Sequence, residues 1–144
     1  MSVVVLVGVD CSNCSSRALE YAAERASVSG AKLVVAHVIE WSKFQFSTPQ
    51  ENEQRHLRRE EEIARAKAEI IDPITKNLSA RGVEAEGVVR HGHPSETLVK
   101  LADELAVSSI VIGRRGVSGL KAQLFGSVPS SLVQIAGCPV TVVP

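Results

Sequence analysis

Residues Val3 to Val9 form a nearly unbroken run of β-branched and aliphatic side chains, and this run limits the fold more than any other feature of the chain. A strand that is apolar on both sides needs cover on both faces, which a parallel sheet flanked by helices supplies. After Asp10, Cys11, Ser12 and Asn13, the positions Ala18, Leu19, Ala22, Ala23 and Ala26 recur at helical spacing, and Ser29-Gly30 supplies a stop. Lys32 to Ile39 is the next apolar strand. The connection has the length of a crossover helix, so the two strands run parallel and form a βαβ unit.

The same alternation continues. Trp41 to Pro49 has no clear period, and from about Gln50 to Arg81 a charged helix carries Ile63, Ile70, Ile71, Ile74 and Leu78 on one stripe. Because that period crosses Pro73, the spacing predicts one kinked helix, with a break at Asp72 as the alternative. The run Arg58 to Glu62 reads as a solvated face with opposite charges at helical spacing. Val83 to Arg90 is a third strand whose polar alternation suits a sheet edge. His91-Gly92-His93 belongs to the turn before a helix opened by Pro94-Ser95-Glu96 and running to about Ala106. Ser109 to Ile112 is the fourth strand, Val128 to Ala136 the last helix, and Val140 to Val143 the fifth strand, with Gly137 and Pro139 between them. The prediction is an α/β fold: one open, doubly wound domain over residues 1–144, a five-stranded parallel sheet with helices on both faces. The length suits a single core.

Composition narrows the partners. Lys plus Arg equal Asp plus Glu at 16 each, so the balance points to neither nucleic acid nor an anionic membrane. No stretch reaches the ~20 apolar residues of a membrane span, and the opening residues lack a signal peptide's basic flank and cleavage site, so a cytoplasmic address is expected. Three cysteines fit a reducing compartment. A zinc site needs about four ligands, and the candidates are His37 in the second strand with His91 and His93 in a turn, which argues against one; Cys138 reads as a small packed residue.

Chemistry concentrates after the fourth strand, where the spacing is Gly113-x2-Gly116-x9-Gly126-Ser127. Glycines allow close backbone approach to a ligand, and free N–H groups at a helix start favour phosphate oxygens. Arg114 and Arg115 offer charge to such an anion, their bland reading being solvated loop residues. A Walker-type Gly-x4-Gly-Lys is absent, and no Gly-x-Gly-x-x-Gly follows the first strand, so neither of those nucleotide classes applies.

With Val7-Gly8-Val9-Asp10 and Ser12 at the start, Ala36-His37-Val38 closing the second strand, Gly92-His93-Pro94, and the ending Gly137 to Pro144, these glycines make the chain resemble a universal stress protein of the ATP-binding subgroup. The resemblance spans nearly the whole chain, except about Trp41 to Asn77. It implies a strand order of 3-2-1-4-5, with Asp10 and Gly113 facing each other at the switch point, where the connections after the first and fourth strands part to opposite sides. It further implies that Val9 and Asp10 contact the adenosine portion and that Val38 holds the adenine through its backbone. Gly113 and Gly116 would lie along ribose and phosphates, and Gly126, Ser127 and Val128 would bind phosphates. ATP is the implied ligand, with AMP or ADP as alternatives, and Asp10 is the implied contact for Mg²⁺. A homodimer joined antiparallel through Val140 to Val143 is implied as well, together with an unidentified protein partner. Pro129 departs from the family pattern by removing one possible phosphate donor.

Two other functions stay open at this stage. A slow ATPase or self-phosphorylating enzyme needs a positioned base, and Asp10 is the sole acid that can be placed near the loop, so binding with little or no turnover is expected. Cys11-x-x-Cys14, between the first strand and first helix, is the spacing of a redox sensor, though without the strand context of a thioredoxin. No Ser, His and acid triad can be assembled.

Overall fold

At the centre of the molecule lies β1 (Val4–Gly8), hydrogen-bonded on one side to β2 (Lys32–Glu40) and on the other to β4 (Ser109–Gly113). The computed structural model describes residues 3–40, 48–114 and 126–144. β3 (Ala85–Gly92) lies outside β2, and β5 (Val140–Val143) outside β4, giving the order β3-β2-β1-β4-β5 with every pairing parallel. This is the order that the resemblance implied.

The register explains why β1 is apolar throughout. Leu6 stands between Val34 and Ile110, and Val7 between Val35 and Val111. Successive side chains point to opposite faces, so each of these rows of three feeds a different core. The row of Val7 is covered by α1 (Asn13–Ser29), through Ala18, Ala22, Ala23 and Ala26, and by Ile71 and Leu78. Alanines on α1 let its axis sit close to the strands. The row of Leu6 is covered by α4 (Pro94–Leu105), through Leu98, Leu101 and Ala102, and by Leu132 of α5 (Ser127–Ile135). Burying each of these larger side chains stabilises the fold by about 1.5–3 kcal/mol.

Between β2 and β3 the chain is helical from Pro49 to Ala80, as α2 (Pro49–Ala66), a π turn at Lys67–Ile71, and α3 (Asp72–Ala80). Thr48 starts α2 with a full capping box, its hydroxyl accepting from Glu51 N–H while the Glu51 carboxylate accepts from Thr48 N–H. The helix therefore continues through Pro73, as the apolar period predicted. What the period did not foretell is the widened turn, in which Asp72 N–H reaches back to the Lys67 carbonyl. Proline cannot donate and its ring crowds the carbonyl four residues earlier, and one wide turn relieves both problems without ending the helix.

That turn delivers Ile71, 1% exposed, onto β3 at Gly87, where a Cβ would collide with the isoleucine's Cγ2. β3 also begins and ends two residues later than the alternation indicated, since Val83 is spent on the first core before the ladder starts and His91 and Gly92 still pair with Ile39 and Glu40. A bidentate pair from Arg81 to Glu20, at 3.0 and 2.6 Å, ties the end of α3 to α1 and holds the Glu20 carboxyl below its usual range. Replacing Gly87 by alanine forces Ile71 out of its seat, and a loss of about 1–3 kcal/mol is expected in urea denaturation. An unchanged midpoint would show that the helix shifts freely over β3.

Candidate functional site

The two cores define where a ligand site can form. From β1 the chain passes to α1 on one face, and from β4 it passes to α5 on the other. β1 and β4 are neighbours, so their following segments part and leave a crevice beyond the carboxyl ends of the two strands.

On the β1 side of that crevice, Val9 is buried and donates its N–H to the Ala36 carbonyl at 2.9 Å. Its own carbonyl lies 2.8 Å from His37 Nδ1, so Nδ1 carries the proton in this contact. Asp10 follows, half-buried, with Oδ1 accepting from Ser12 N–H at 3.0 Å and its backbone N–H donating to Ser15 Oγ at 3.3 Å. Ser12 caps α1, its hydroxyl accepting from Ser15 N–H at 3.0 Å, and the Ser15 hydroxyl donates back to the Ser12 carbonyl at 3.1 Å. The cap and the carboxylate are thus one unit: the bonds that start the helix also fix Asp10. Between them Cys11 takes a left-handed backbone, φ 67°.

On the β4 side, Gly113 brings strand and helix together. A Cβ there would stand 2.6 Å from the Cys14 carbonyl carbon and 2.7 Å from Cys14 Cβ. The missing side chain admits the first turn of α1, so Gly113 meets that helix at Cys14, four residues after Asp10. Arg114 then donates its N–H to the Val143 carbonyl at 2.7 Å and accepts from Gly126 N–H at 2.9 Å. Both ends of the connection from β4 to α5 are therefore pinned at one residue. The Arg114 Nε is buried without a hydrogen-bond partner, alone in this among the described side-chain nitrogens and oxygens. A buried cationic donor in that condition is costly unless an acceptor arrives.

Gly126 is the cap residue of α5, with Ser127 exposed and Val128 half-buried behind it. As the first helical residues, Ser127 and Val128 have N–H groups with no partner inside the helix. Pro129 has none to offer, and Ser130 N–H bonds to the Gly126 carbonyl at 3.3 Å. Since the Gly126 N–H is committed to Arg114, Ser127 and Val128 are the two first-turn residues whose N–H groups have no partner among the described residues. Val38 lies half-buried near the end of β2, two residues past the carbonyl that anchors Val9. Val9, Asp10, Gly113 and Arg114 come together at the strand ends, with Gly126 tied to them through Arg114. Arg115 and Gly116 lie outside the described residues. Ser15, which the spacing does not single out, and His37, weighed in the sequence only against zinc and in the closing Ala36-His37-Val38, both hold the segment from Val9 to Ser12.

An open α/β sheet with this crevice and this glycine spacing is the class of molecule that results. The universal stress protein family matches residues 1–144, and the chain belongs to that family. It is 32% identical over 145 residues to universal stress protein YxiE of Bacillus subtilis, covering 96% of this chain and 97% of that one. Universal stress protein A homolog 1 of Coxiella burnetii is 33% identical, with 96% and 94% covered. Universal stress protein Rv1996 of Mycobacterium tuberculosis is 32% identical over 97% of this chain, which spans 47% of that longer protein. Among solved structures, the fold is that of UspA from Lactobacillus plantarum, with a TM-score of 0.84, 24% identity, and 99% and 97% of the two chains covered. A universal stress protein solved in complex with cAMP superimposes with a TM-score of 0.64 at 28% identity, covering 99% and 96%.

Two substitutions probe the geometry. Ser12→Ala removes the cap of α1 and is expected to cost about 1 kcal/mol in chemical denaturation. Gly113→Ala presses a methyl group into the Cys14 backbone, which has no rotamer to escape to, and a loss of about 1–3 kcal/mol is expected. Equal stability of the Gly113→Ala protein and the parent would mean that α1 is not seated on β4 as described.

Proposed function

We propose that the chain is an ATP-binding universal stress protein, a single domain that signals through nucleotide occupancy in the cytoplasm. The observation that carries this reading is the buried, unpartnered Nε of Arg114, the residue that follows β4 and whose carbonyl accepts from Gly126 N–H at the start of α5. Cationic and helix N-terminal donors together suit phosphate oxygens. Support comes also from the family member that holds cAMP, an adenine nucleotide. In this reading Val9, Asp10 and Val38 hold the adenosine, Gly113 and Gly116 flank ribose and phosphates, and Gly126, Ser127, Val128, Arg114 and Arg115 take the phosphates.

A Mg²⁺ ion fits this set on limited terms. Asp10 is one carboxylate, and among the described residues no three His, Cys, Asp or Glu side chains gather to hold a metal. Hard oxygen donors suit Mg²⁺, which commonly uses one or two carboxylates plus phosphates and water. Such an ion would enter with the nucleotide and neutralise phosphate charge. The Asp10 oxygen that accepts from Ser12 is already engaged in positioning, so the proposal is binding with little turnover.

A homodimer through β5 belongs to the same reading. β5 lies at the sheet edge with each of its four residues half-buried, and Val133 and Ile135 of α5 are exposed. An edge strand of this kind offers unpaired backbone groups to a second copy.

Titration of the purified protein with ATP and Mg²⁺ is expected to show saturable binding at one site per chain. Arg114→Ala should weaken ATP about tenfold or more and leave adenosine nearly unchanged, since the lost bond is to phosphate. An equal loss for both ligands would place Arg114 away from the phosphates, and no ATP binding by the parent would end the reading. Light scattering should give twice the chain mass. A monomer at every concentration would remove the dimer.

A further inference from the structure

Cys11 and Cys14 flank the capping residue of α1, and all three cysteines of the described chain are free thiols. Cys11 is exposed on a left-handed backbone directly after Asp10, whereas Cys14 is buried in the first helical turn against Gly113. Two residues three apart come within disulfide reach when the residues between them are helical. Ser12 is instead extended, with ψ 162°, and that conformation is the one in which it caps the helix and donates to Asp10. Disulfide closure and the cap therefore compete for the same backbone angle.

We propose that Cys11 and Cys14 form a reversible disulfide that dismantles the cap of α1 and loosens Asp10. The oxidant is a peroxide. Cys11 Sγ, the exposed sulfur, attacks a peroxide oxygen and becomes a sulfenic acid as water leaves. Cys14 Sγ then attacks the Cys11 sulfur, its proton joins the departing hydroxide as a second water, and the S–S bond is made. One hydrogen peroxide thus consumes two thiols and gives one disulfide and two waters, and a dithiol reductant reverses the change.

Arg17 attends the second step. Its Nη2 donates to Cys14 Sγ at 3.1 Å, so a cationic group sits beside the sulfur that makes the second attack. The same guanidinium donates through Nε to the Pro144 carbonyl at 2.7 Å, so moving Cys14 also disturbs the tie between α1 and the end of β5. Cys138 is an internal control, because burial, with a smaller effect from Asp103, pushes its thiol up and away from the reactive form.

The consequence for ligand binding rests on the nucleotide reading above; the disulfide itself does not. Treatment of the whole protein with stoichiometric hydrogen peroxide is expected to lower its mass by two hydrogens and to leave one of three thiols titratable. Peptide mapping should join Cys11 to Cys14. Amide exchange at Ser15 and Ser16 should accelerate at least several-fold on oxidation and recover with dithiothreitol. ATP affinity should fall about fivefold and also recover, while Cys11→Ser, at an exposed position, should respond to peroxide in neither measurement.

Three titratable thiols after peroxide, or a Cys11 carried to the sulfinic acid without a disulfide, would overturn the proposal. A Cys11–Cys14 disulfide that leaves amide exchange unchanged would overturn it too. An exchange response without nucleotide binding in the reduced protein would sustain the switch and defeat the nucleotide reading, so the two failures are distinguishable.

Discussion

The structure depends on β1 being buried on both faces. Leu6 and Val7 are each fully buried in different cores, and no arrangement with helices on one side could cover both. Once helices are required on each face, the connection after β1 must leave on one side and a neighbouring strand's on the other. β4 supplies the second, and the crevice between β1 and β4 follows from burial alone. The site is thus a by-product of how an apolar central strand is sheltered.

Burial also decides how finely the crevice is built. α1 is an alanine-faced helix, which lets it approach the sheet, and Gly113 lets it come closer still at its first turn. The cap at Ser12 then sets Asp10, and the hydrogen bonds of Arg114 to Val143 and Gly126 gather the far side. These contacts are short-range and mutually supporting. They leave Arg114 Nε as a buried donor in want of an acceptor, which the proposed ligand would supply.

Much of this was legible in the chain itself, for identifiable reasons. Apolar runs, helical periods and start and stop residues named the strands and helices of the described residues, because double-sided burial writes itself into the nearly unbroken runs Val3–Val9 and Lys32–Ile39. The continuity through Pro73 was readable from the period of Ile70, Ile74 and Leu78. The π turn was not, since it arises from a local conflict between the proline ring and a carbonyl that leaves no pattern of residue types. Nor was the role of Gly87, which depends on Ile71 arriving from a separate element. The glycine spacing after β4 pointed to the candidate site, yet it could not tell that Gly113 serves helix packing against Cys14 or that the Gly126 N–H is already engaged. Those are consequences of which strands become neighbours. His37 likewise gains its contact with Val9 only once β1 and β2 are in register.

The central claim is that the crevice between β1 and β4 holds an adenine nucleotide, and it is tested most directly on protein purified with no ligand added. Denaturation followed by mass spectrometry of the released small molecules should recover ATP, or an adenine nucleotide derived from it, from the parent protein and much less from the Arg114→Ala variant. Release of no nucleotide, together with no ATP binding when the protein is then titrated, would contradict the account.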